Sequence, residues 1–272
     1  MQQDKSSYAS FVHVILLALT LTTLMYQPNF ASGLINHFEA GQWLVAANDV
    51  LHGKIICKET IAFHGPLTTY FQILFLWLFG FKVMALKWFF VVGSFSTLFV
   101  ASLIGYKLFR SRLLMYFLAF FLVVETVSPF WSYWWGGFRF CFGLMGLWFF
   151  IDYMQNEKTS SAFLTGFVLA LTLFMSIDVF AALVITVFGG YVFFVCGCLR
   201  HGKAMKIRHI MWCFLGFSAF AMPFCLYLLK IGAFASYLET TFILAVNHAR
   251  VWGQPNAGIN FARAISIGNV LK

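Results

Sequence analysis

Charged residues are scarce in this sequence. They make up 10% of the 272 residues, and acidic side chains are the rarer class, with nine Asp and Glu against 18 Lys and Arg. A soluble domain carries about 25% charged residues, whereas 61% of this chain is hydrophobic. This composition excludes a protein whose whole surface faces water. It predicts an all-α integral membrane protein with about seven transmembrane helices.

Polar linkers between the apolar runs are lacking too, which indicates one membrane domain rather than several. The predicted spans are about Ala9–Tyr26, Met84–Tyr106, Leu113–Phe130, Phe138–Tyr153, Ala162–Ile177, Val179–Leu199 and Ile210–Leu229. The fifth and sixth together are too long for one crossing, so a tight hairpin turning at Asp178 is predicted. The apolar segment Leu67–Phe81 is too short for a span. It is predicted to lie in or dip into the membrane interface.

The net charge of +9 comes from basic clusters in short loops, not from one helix face. This pattern favours anionic lipid headgroups or a phosphate-bearing ligand over nucleic acid. The clusters are Lys107, Arg110 and Arg112, then Arg200, Lys203, Lys206 and Arg208. With seven spans, both lie on the side of the N-terminus, which the positive-inside rule makes cytoplasmic. Residues 1–229 then form the membrane domain, with a long extracytoplasmic loop at about 27–83. Residues 230–272 form an extracytoplasmic tail or the start of further spans.

Motifs of soluble enzymes are lacking. The sequence has no P-loop, no G-x-S-x-G, no H-E-x-x-H and no C-x-x-C pair. Five of the six cysteines lie in or beside apolar runs, and Cys57 has no disulfide partner within its own loop. Cys196 and Cys198 are interpreted either as acylation sites or as small apolar filler.

Ionisable side chains within apolar runs are costly in a bilayer, so each is a candidate functional residue. Glu125, Arg139 and Asp178 all fall at the predicted extracytoplasmic ends of their spans. The first loop adds further titratable residues on the same face, which are Glu39, Asp49, Glu59 and His64. Separate parts of the chain therefore converge on one membrane surface.

Each of these residues also has a structural interpretation, and the sequence leaves both open. Glu39 could form a helix capping box with Asn36, and Asp178 could cap a helix. Glu125 and Arg139 could form an ion pair with each other. His64, before Gly65-Pro66, could belong to an ordinary turn, and Asp49 could lie on a solvated helix face.

The first loop reads Glu39-Ala-Gly-Gln-Trp, later His64-Gly-Pro-Leu, then a short aromatic segment ending Leu78-Phe-Gly80. This order resembles the first extracytoplasmic loop of the GT-C class of membrane glycosyltransferases, in its bacterial branch that uses polyprenyl-phosphate sugars. Tyr106-Lys-Leu-Phe-Arg and Ser176-Ile-Asp178 resemble later parts of that class. The resemblance covers roughly residues 8–199.

The resemblance implies transfer of a sugar from a polyprenyl-phosphate carrier to a glycan, lipid or protein acceptor. The reaction would take place on the outer face of the inner (plasma) membrane. It implies Glu39 as the catalytic base, and Arg139, His64 and Lys58 as ligands of the lipid phosphate. It implies Glu59 and Asp178 as residues that orient the acceptor or a divalent cation. Some members of the class use such a metal, and its candidate ligands here are Glu39 and Asp178.

The chain departs from the class in three ways. The acidic pair is reduced to Phe38-Glu39, no Asp follows Arg139 until Asp152, and the chain is short. Two alternatives therefore stay open. One is a lipid or solute transporter or flippase with Glu125, Arg139 and Asp178 along its path, which solute uptake by vesicles would reveal. The other is a non-catalytic truncated homologue acting as an assembly subunit, which would copurify with a larger partner.

Overall fold

The computed structural model describes residues 11–23, 37–60, 62, 64–126, 137–200 and 208–244. For residues 37–42, 122–126, 137, 194–200, 208–209 and 243–244 the description covers the backbone alone. The helices are α1 (Phe11–Thr23), α2 (His37–Leu51), α3 (Pro66–Phe79), α4 (Val83–Phe109), α5 (Arg112–Thr126), α6 (Gly137–Asn156), α7 (Thr159–Met175), α8 (Ile177–Arg200), α9 (Arg208–Lys230) and α10 (Phe234–Leu238), followed by a π-helical turn at Glu239–Leu244. The other described residues form loops and one isolated β-bridge, between Ile56 and Thr60. The all-α prediction is confirmed for this part of the chain.

The helix boundaries follow residues that cannot continue a helix. Pro66 occupies the first turn of α3, where its missing N–H costs nothing. Gly80 ends α3 with a φ of +83°, a conformation that favours glycine. Ser176 is extended and separates α7 from α8, so Asp178 falls in the first turn of α8.

The helices α6, α7 and α8 form an antiparallel series. Gly143 near the start of α6 lies against Val179 near the start of α8, and Phe150 lies against Gly190 further along both helices. Helices α6 and α8 therefore run parallel, and α7, which connects them, runs in the opposite direction. This arrangement is the hairpin that the sequence predicts around Asp178.

Helices α7 and α9 pack closely because glycine stands at their contacts. A Cβ at Gly166 would collide with the backbone carbonyl of Cys213, and one at Gly216 would collide with that of Phe163. Such close backbone approach is typical of helix packing in membranes, where small residues let dispersion contacts form over a long interface.

One end of the bundle, here called the basic end, contains the α4–α5 and α6–α7 connections and the start of α9. There the Lys107 ammonium lies 2.6 Å from the Asp152 carboxylate and 4.4 Å from the centre of the Trp148 ring. Asn156 and Ser161 also donate hydrogen bonds to Asp152. This cluster joins α4, α6 and α7 at the basic end.

Helix α3 lies across the opposite end of the bundle. From its start onward it contacts Met175 of α7, Tyr227 of α9, Phe138 of α6 and Phe89 of α4, each near the same end of its own helix. Its 14 residues span about 21 Å, less than the ~30 Å of a bilayer core. The helix predicted for Leu67–Phe81 is therefore present, and its position in the membrane interface stays a prediction.

Two helices in the described part of the chain are long and apolar enough to cross a membrane. They are α4 and the Ile210–Lys230 portion of α9. In the most apolar 18 residues of α4, 56% of the residues are buried inside the bundle. In the corresponding segment of α9 the share is 17%. Helix α4 is therefore central, and α9 presents most of its surface outward.

The glycine contacts lead to a stability prediction with a matched control. We expect Gly166→Ala to destabilise the protein by about 1–3 kcal/mol, because the added methyl group meets backbone rather than a movable side chain. At Gly189 a Cβ would meet nothing within 4 Å. Gly189→Ala should therefore be neutral or stabilising, since alanine favours the helix. Thermal unfolding in detergent micelles measures both, and equal effects would contradict the close α7–α9 contact.

Candidate functional site

Three residues singled out in the sequence meet at the end of the bundle that α3 crosses. An Nη atom of Arg139 lies 2.9 Å from Nδ1 of His64, and 3.7 Å from a carboxylate oxygen of Asp178. These residues come from the loop before α3, the first turn of α6 and the first turn of α8. We call them the His64 cluster.

The loop that carries His64 is fixed to the end of α7. Gly65 approaches the Phe174 backbone so closely that a Cβ would overlap the carbonyl. Thr68 then donates a 2.7 Å hydrogen bond to the carbonyl of Met175. Because Asp178 follows Met175 by three residues, this docking brings the His64 loop beside the start of α8.

The position of Arg139 is set by the aromatic residue before it. Phe138 packs against Phe71 and Phe75 of α3 and Phe89 of α4, with ring centroids 5.4–5.7 Å apart. The Arg139 side chain is only 4% exposed, and its guanidinium lies 4.7 Å from the centre of the Phe140 ring. The cation is thus held at a buried position by apolar packing on several sides.

Trp43 of α2 is a member of the site that the sequence analysis missed. Its ring centroid lies 5.1 Å from that of His64, with 31° between the ring planes, and the residue is 8% exposed. Trp43 follows Glu39 by four residues, which is one helical turn. That spacing is the signal that could have identified it.

His64 is neutral in this arrangement. An arginine guanidinium has donors only, so Arg139 donates and Nδ1 of the imidazole accepts. Burial and the neighbouring Arg139 charge lower the pKa of His64 to about 3, against an opposing effect of Asp178. Nε2 of the ring also lies 3.4 Å from the same Nη atom of Arg139.

Asp178 is the exposed member of the cluster. Its side chain is 61% exposed, and it accepts a hydrogen bond from the hydroxyl of Ser176. Its place in the first turn of α8 suits the positive end of that helix, although the helix begins at Ile177, so Asp178 is not the residue preceding the helix that the capping alternative predicts. The 3.7 Å separation from Arg139 is too long for a hydrogen bond, so this ion pair is loose.

The arrangement is suited to binding an anion. Arg139 is a permanent cation, and it lies in the first turn of α6, where the backbone N–H groups carry partial positive charge. The starts of α3 and α8 lie at the same cluster and contribute in the same sense. A phosphate at this cluster would meet the buried Arg139 guanidinium and would replace the Asp178 carboxylate as its anionic partner.

Lys58 and Glu59 occupy the turn between α2 and α3. A carboxylate oxygen of Glu59 accepts a 2.7 Å hydrogen bond from the N–H of Ile55, which closes that turn. The Lys58 ammonium lies near Gly232, just after α9, at 3.7 Å from where a Cβ would stand. Their phosphate- and acceptor-binding roles stay predictions.

Two candidate residues are described by their backbone alone. Glu39 lies in α2 and Glu125 near the end of α5, and their side chains fall outside the described residues, as does Asn36 of the predicted capping box. Asp49 forms a 2.9 Å ion pair with Lys54 at the end of α2, and hydrogen bonding to Lys54 lowers its pKa.

A divalent cation does not fit the described members of the site. The described residues contain no group of three or more His, Cys, Asp or Glu side chains that could hold a metal ion. Asp178 also stands 3.7 Å from the Arg139 guanidinium, whose charge repels a second cation.

No model of a known protein family, no curated protein and no solved structure matches this chain. The resemblance to the GT-C class stays a prediction from the residues of the first loop.

The neutral state of His64 predicts a pH dependence of stability. Unfolding raises its pKa from about 3 toward 6.5. The unfolded chain therefore binds an additional proton between these values, and the folded state loses stability as the pH falls below about 6.5. Above that range His64 contributes no pH dependence.

We expect His64→Asn to weaken this dependence, because an amide oxygen accepts from Arg139 without titrating. Thermal unfolding of both proteins between about pH 7 and pH 5 measures the difference. Parallel pH profiles of wild type and variant would contradict a buried neutral imidazole.

Proposed function

We propose that this chain is a membrane glycosyltransferase of the GT-C type. It would move a sugar from a polyprenyl-phosphate carrier to an acceptor on the extracytoplasmic face. The observation that carries the proposal is the meeting of His64, Arg139 and Asp178 at the end of the bundle that α3 crosses. The motifs that resemble this class contribute His64 and Asp178, and Arg139 is the cation that the packing places between them.

A membrane environment is supported by the outer surface of the bundle. Large apolar side chains point outward along its peripheral helices, far more than the scattered exposed residues of a soluble protein. The most exposed of them include Trp77 77%, Leu113 65%, Phe117 65%, Ile185 73%, Phe188 69%, Phe193 81%, Met211 67% and Phe214 71%. Acyl chains would cover this surface. The seven-span topology is part of the proposal.

The distribution of charge supports an orientation. Arg110 and Lys158 of the short connections lie at the basic end, opposite the His64 cluster, whereas Lys82 and Lys230 lie at the end that α3 crosses. By the positive-inside rule the basic end is cytoplasmic and the His64 cluster is extracytoplasmic. A polyprenyl carrier could then lie along the apolar bundle with its phosphate at the cluster.

In the proposed reaction the acceptor hydroxyl attacks the anomeric carbon of the donor sugar. A new C–O bond forms there, and the bond between that carbon and the phosphate oxygen breaks. Polyprenyl phosphate leaves with the electron pair. Arg139 and His64 stabilise the charge on the leaving phosphate. Because both are held in place before the reaction, little reorganisation is needed.

Glu39 is the proposed base that accepts the proton of the acceptor hydroxyl. It stands one turn before Trp43, whose ring lies against His64. Both residues therefore belong to one face of α2. Asp178, the exposed carboxylate of the cluster, is the proposed group that orients the acceptor.

The topology can be tested with single cysteines in an otherwise cysteine-free protein. We expect Glu39→Cys to react with a membrane-impermeant thiol reagent on intact cells, because α2 packs at the His64 end. Arg110→Cys, at the exposed turn of the basic end, is the matched control and should react only after permeabilisation. The reverse pattern would invert the orientation and remove the support for an extracytoplasmic site.

The catalytic role of Glu39 predicts that Glu39→Gln abolishes sugar transfer while membrane insertion stays intact. An amide cannot accept the proton, and a lost general base costs about 10²–10⁴-fold in rate. Asp49→Asn is the control, since it makes the same change on the same helix at a residue paired with Lys54. Transfer is measured with membranes and polyprenyl-phosphate sugars. Retained transfer in Glu39→Gln would exclude Glu39 as the base.

A further inference from the structure

Gln72 of α3 is a buried amide without a partner among the described residues. The residue is 0% exposed, and neither its side-chain nitrogen nor its side-chain oxygen makes a hydrogen bond. Leaving a buried polar group unsatisfied costs about 1–3 kcal/mol. A helix that served only as a membrane anchor would gain stability from an apolar residue at this position. The amide therefore calls for a functional explanation.

The neighbours of Gln72 along α3 place it close to the His64 cluster. Thr68, one turn earlier on the same face, bonds to Met175, which precedes Asp178 by three residues. Phe75, three residues later, packs against Phe138, the residue before Arg139. Gln72 thus lies between the two contacts that hold α3 against the starts of α6 and α8.

We propose that Gln72 binds the sugar of the lipid-linked donor, through hydroxyl groups adjacent to the phosphate held by Arg139 and His64. This inference rests on the proposed function. A carboxamide both donates and accepts hydrogen bonds, which matches a sugar hydroxyl that does the same. A site that hydrogen-bonds a hydroxyl discriminates strongly against ligands that lack it, because its polar groups are then left unpaired. Gln72 would accordingly determine selectivity for the glycosylated carrier over the bare one.

If Gln72 binds the sugar, its replacement lowers the affinity for the glycosylated carrier without lowering stability. If its role is only structural, stability and affinity change together. In Gln72→Met, an apolar residue of similar length replaces the amide. We expect the ligand-free variant to be at least as stable as the wild type, because the unpaired amide is gone. We expect its affinity for the glycosylated carrier to fall about tenfold, the loss of one or two hydrogen bonds, with affinity for the bare carrier unchanged.

The matched control is Thr68→Val, which removes a buried hydroxyl from the same face of α3. That hydroxyl already has a protein partner, Met175. We therefore expect the variant to unfold at a lower temperature and to keep the wild-type ratio of the two affinities.

The experiment uses the full chain in lipid nanodiscs. Binding is measured for undecaprenyl phosphate and for its glucosyl, mannosyl and arabinosyl phosphodiesters, and thermal unfolding is recorded for each ligand-free protein. Loss of affinity confined to the glycosylated carriers in Gln72→Met supports the inference. An unchanged affinity ratio in that variant, or equal wild-type affinity for bare and glycosylated carriers, overturns it and leaves phosphate recognition intact. A wild-type protein that binds none of these lipids overturns the proposed function as well.

Discussion

The burial of Arg139 is the constraint on which the site depends. Its side chain is 4% exposed, and a guanidinium cannot shed its charge to escape an apolar environment. The cost of burial is offset only if partners reach it. Those partners come from far away in sequence, with His64 75 residues before it and Asp178 near the α7–α8 break. The hydrogen bond from Arg139 to His64 and the loose ion pair with Asp178 therefore join three segments of the chain at one point.

The apolar packing around that contact determines where the charge can be. Phe138 packs among the rings of α3 and α4, and this fixes the first turn of α6. Gly65 lets the His64 loop approach the backbone of α7, where any larger residue would collide. The position of the ionic contact is therefore determined by close aromatic packing and by a backbone contact that only glycine permits. The ring of Trp43 lies against His64 with a tilt of 31° and adds a further apolar neighbour.

Much of this architecture could be predicted because it follows from local pattern. Long apolar runs predicted the helices and the hairpin near Asp178, and the cost of intramembrane charge identified Arg139 and Asp178. The predicted fourth span, Phe138–Tyr153, differs from α6 by one residue at its start and three at its end. Helix ends depend on local hydrogen bonds that composition does not reveal.

The features that were not predictable are those that depend on segments far away along the chain. Gln72 reads as an ordinary polar residue in an aromatic segment, and only the packing of α3 against other helices buries its amide. Asp152 stood out in the sequence because it is the next Asp after Arg139. At ~1.5 Å per residue it lies roughly 20 Å further along α6, and its partner is Lys107 of α4. Neither the burial of Gln72 nor the pairing of Lys107 with Asp152 is visible from spacing alone.

The two ionic clusters at opposite ends of α6 differ in a way that bears on function. At the basic end, the Asp152 carboxylate accepts from Lys107 at 2.6 Å and also from Asn156 and Ser161, so a ligand would have to break a complete set of bonds. At the other end, Asp178 is 61% exposed and stands 3.7 Å from Arg139. A phosphate that displaced the Asp178 carboxylate would gain a buried cation, and the exposed carboxylate would return to water. The same helix thus carries a closed cluster that stabilises the fold and an open one that is suited to bind an anion.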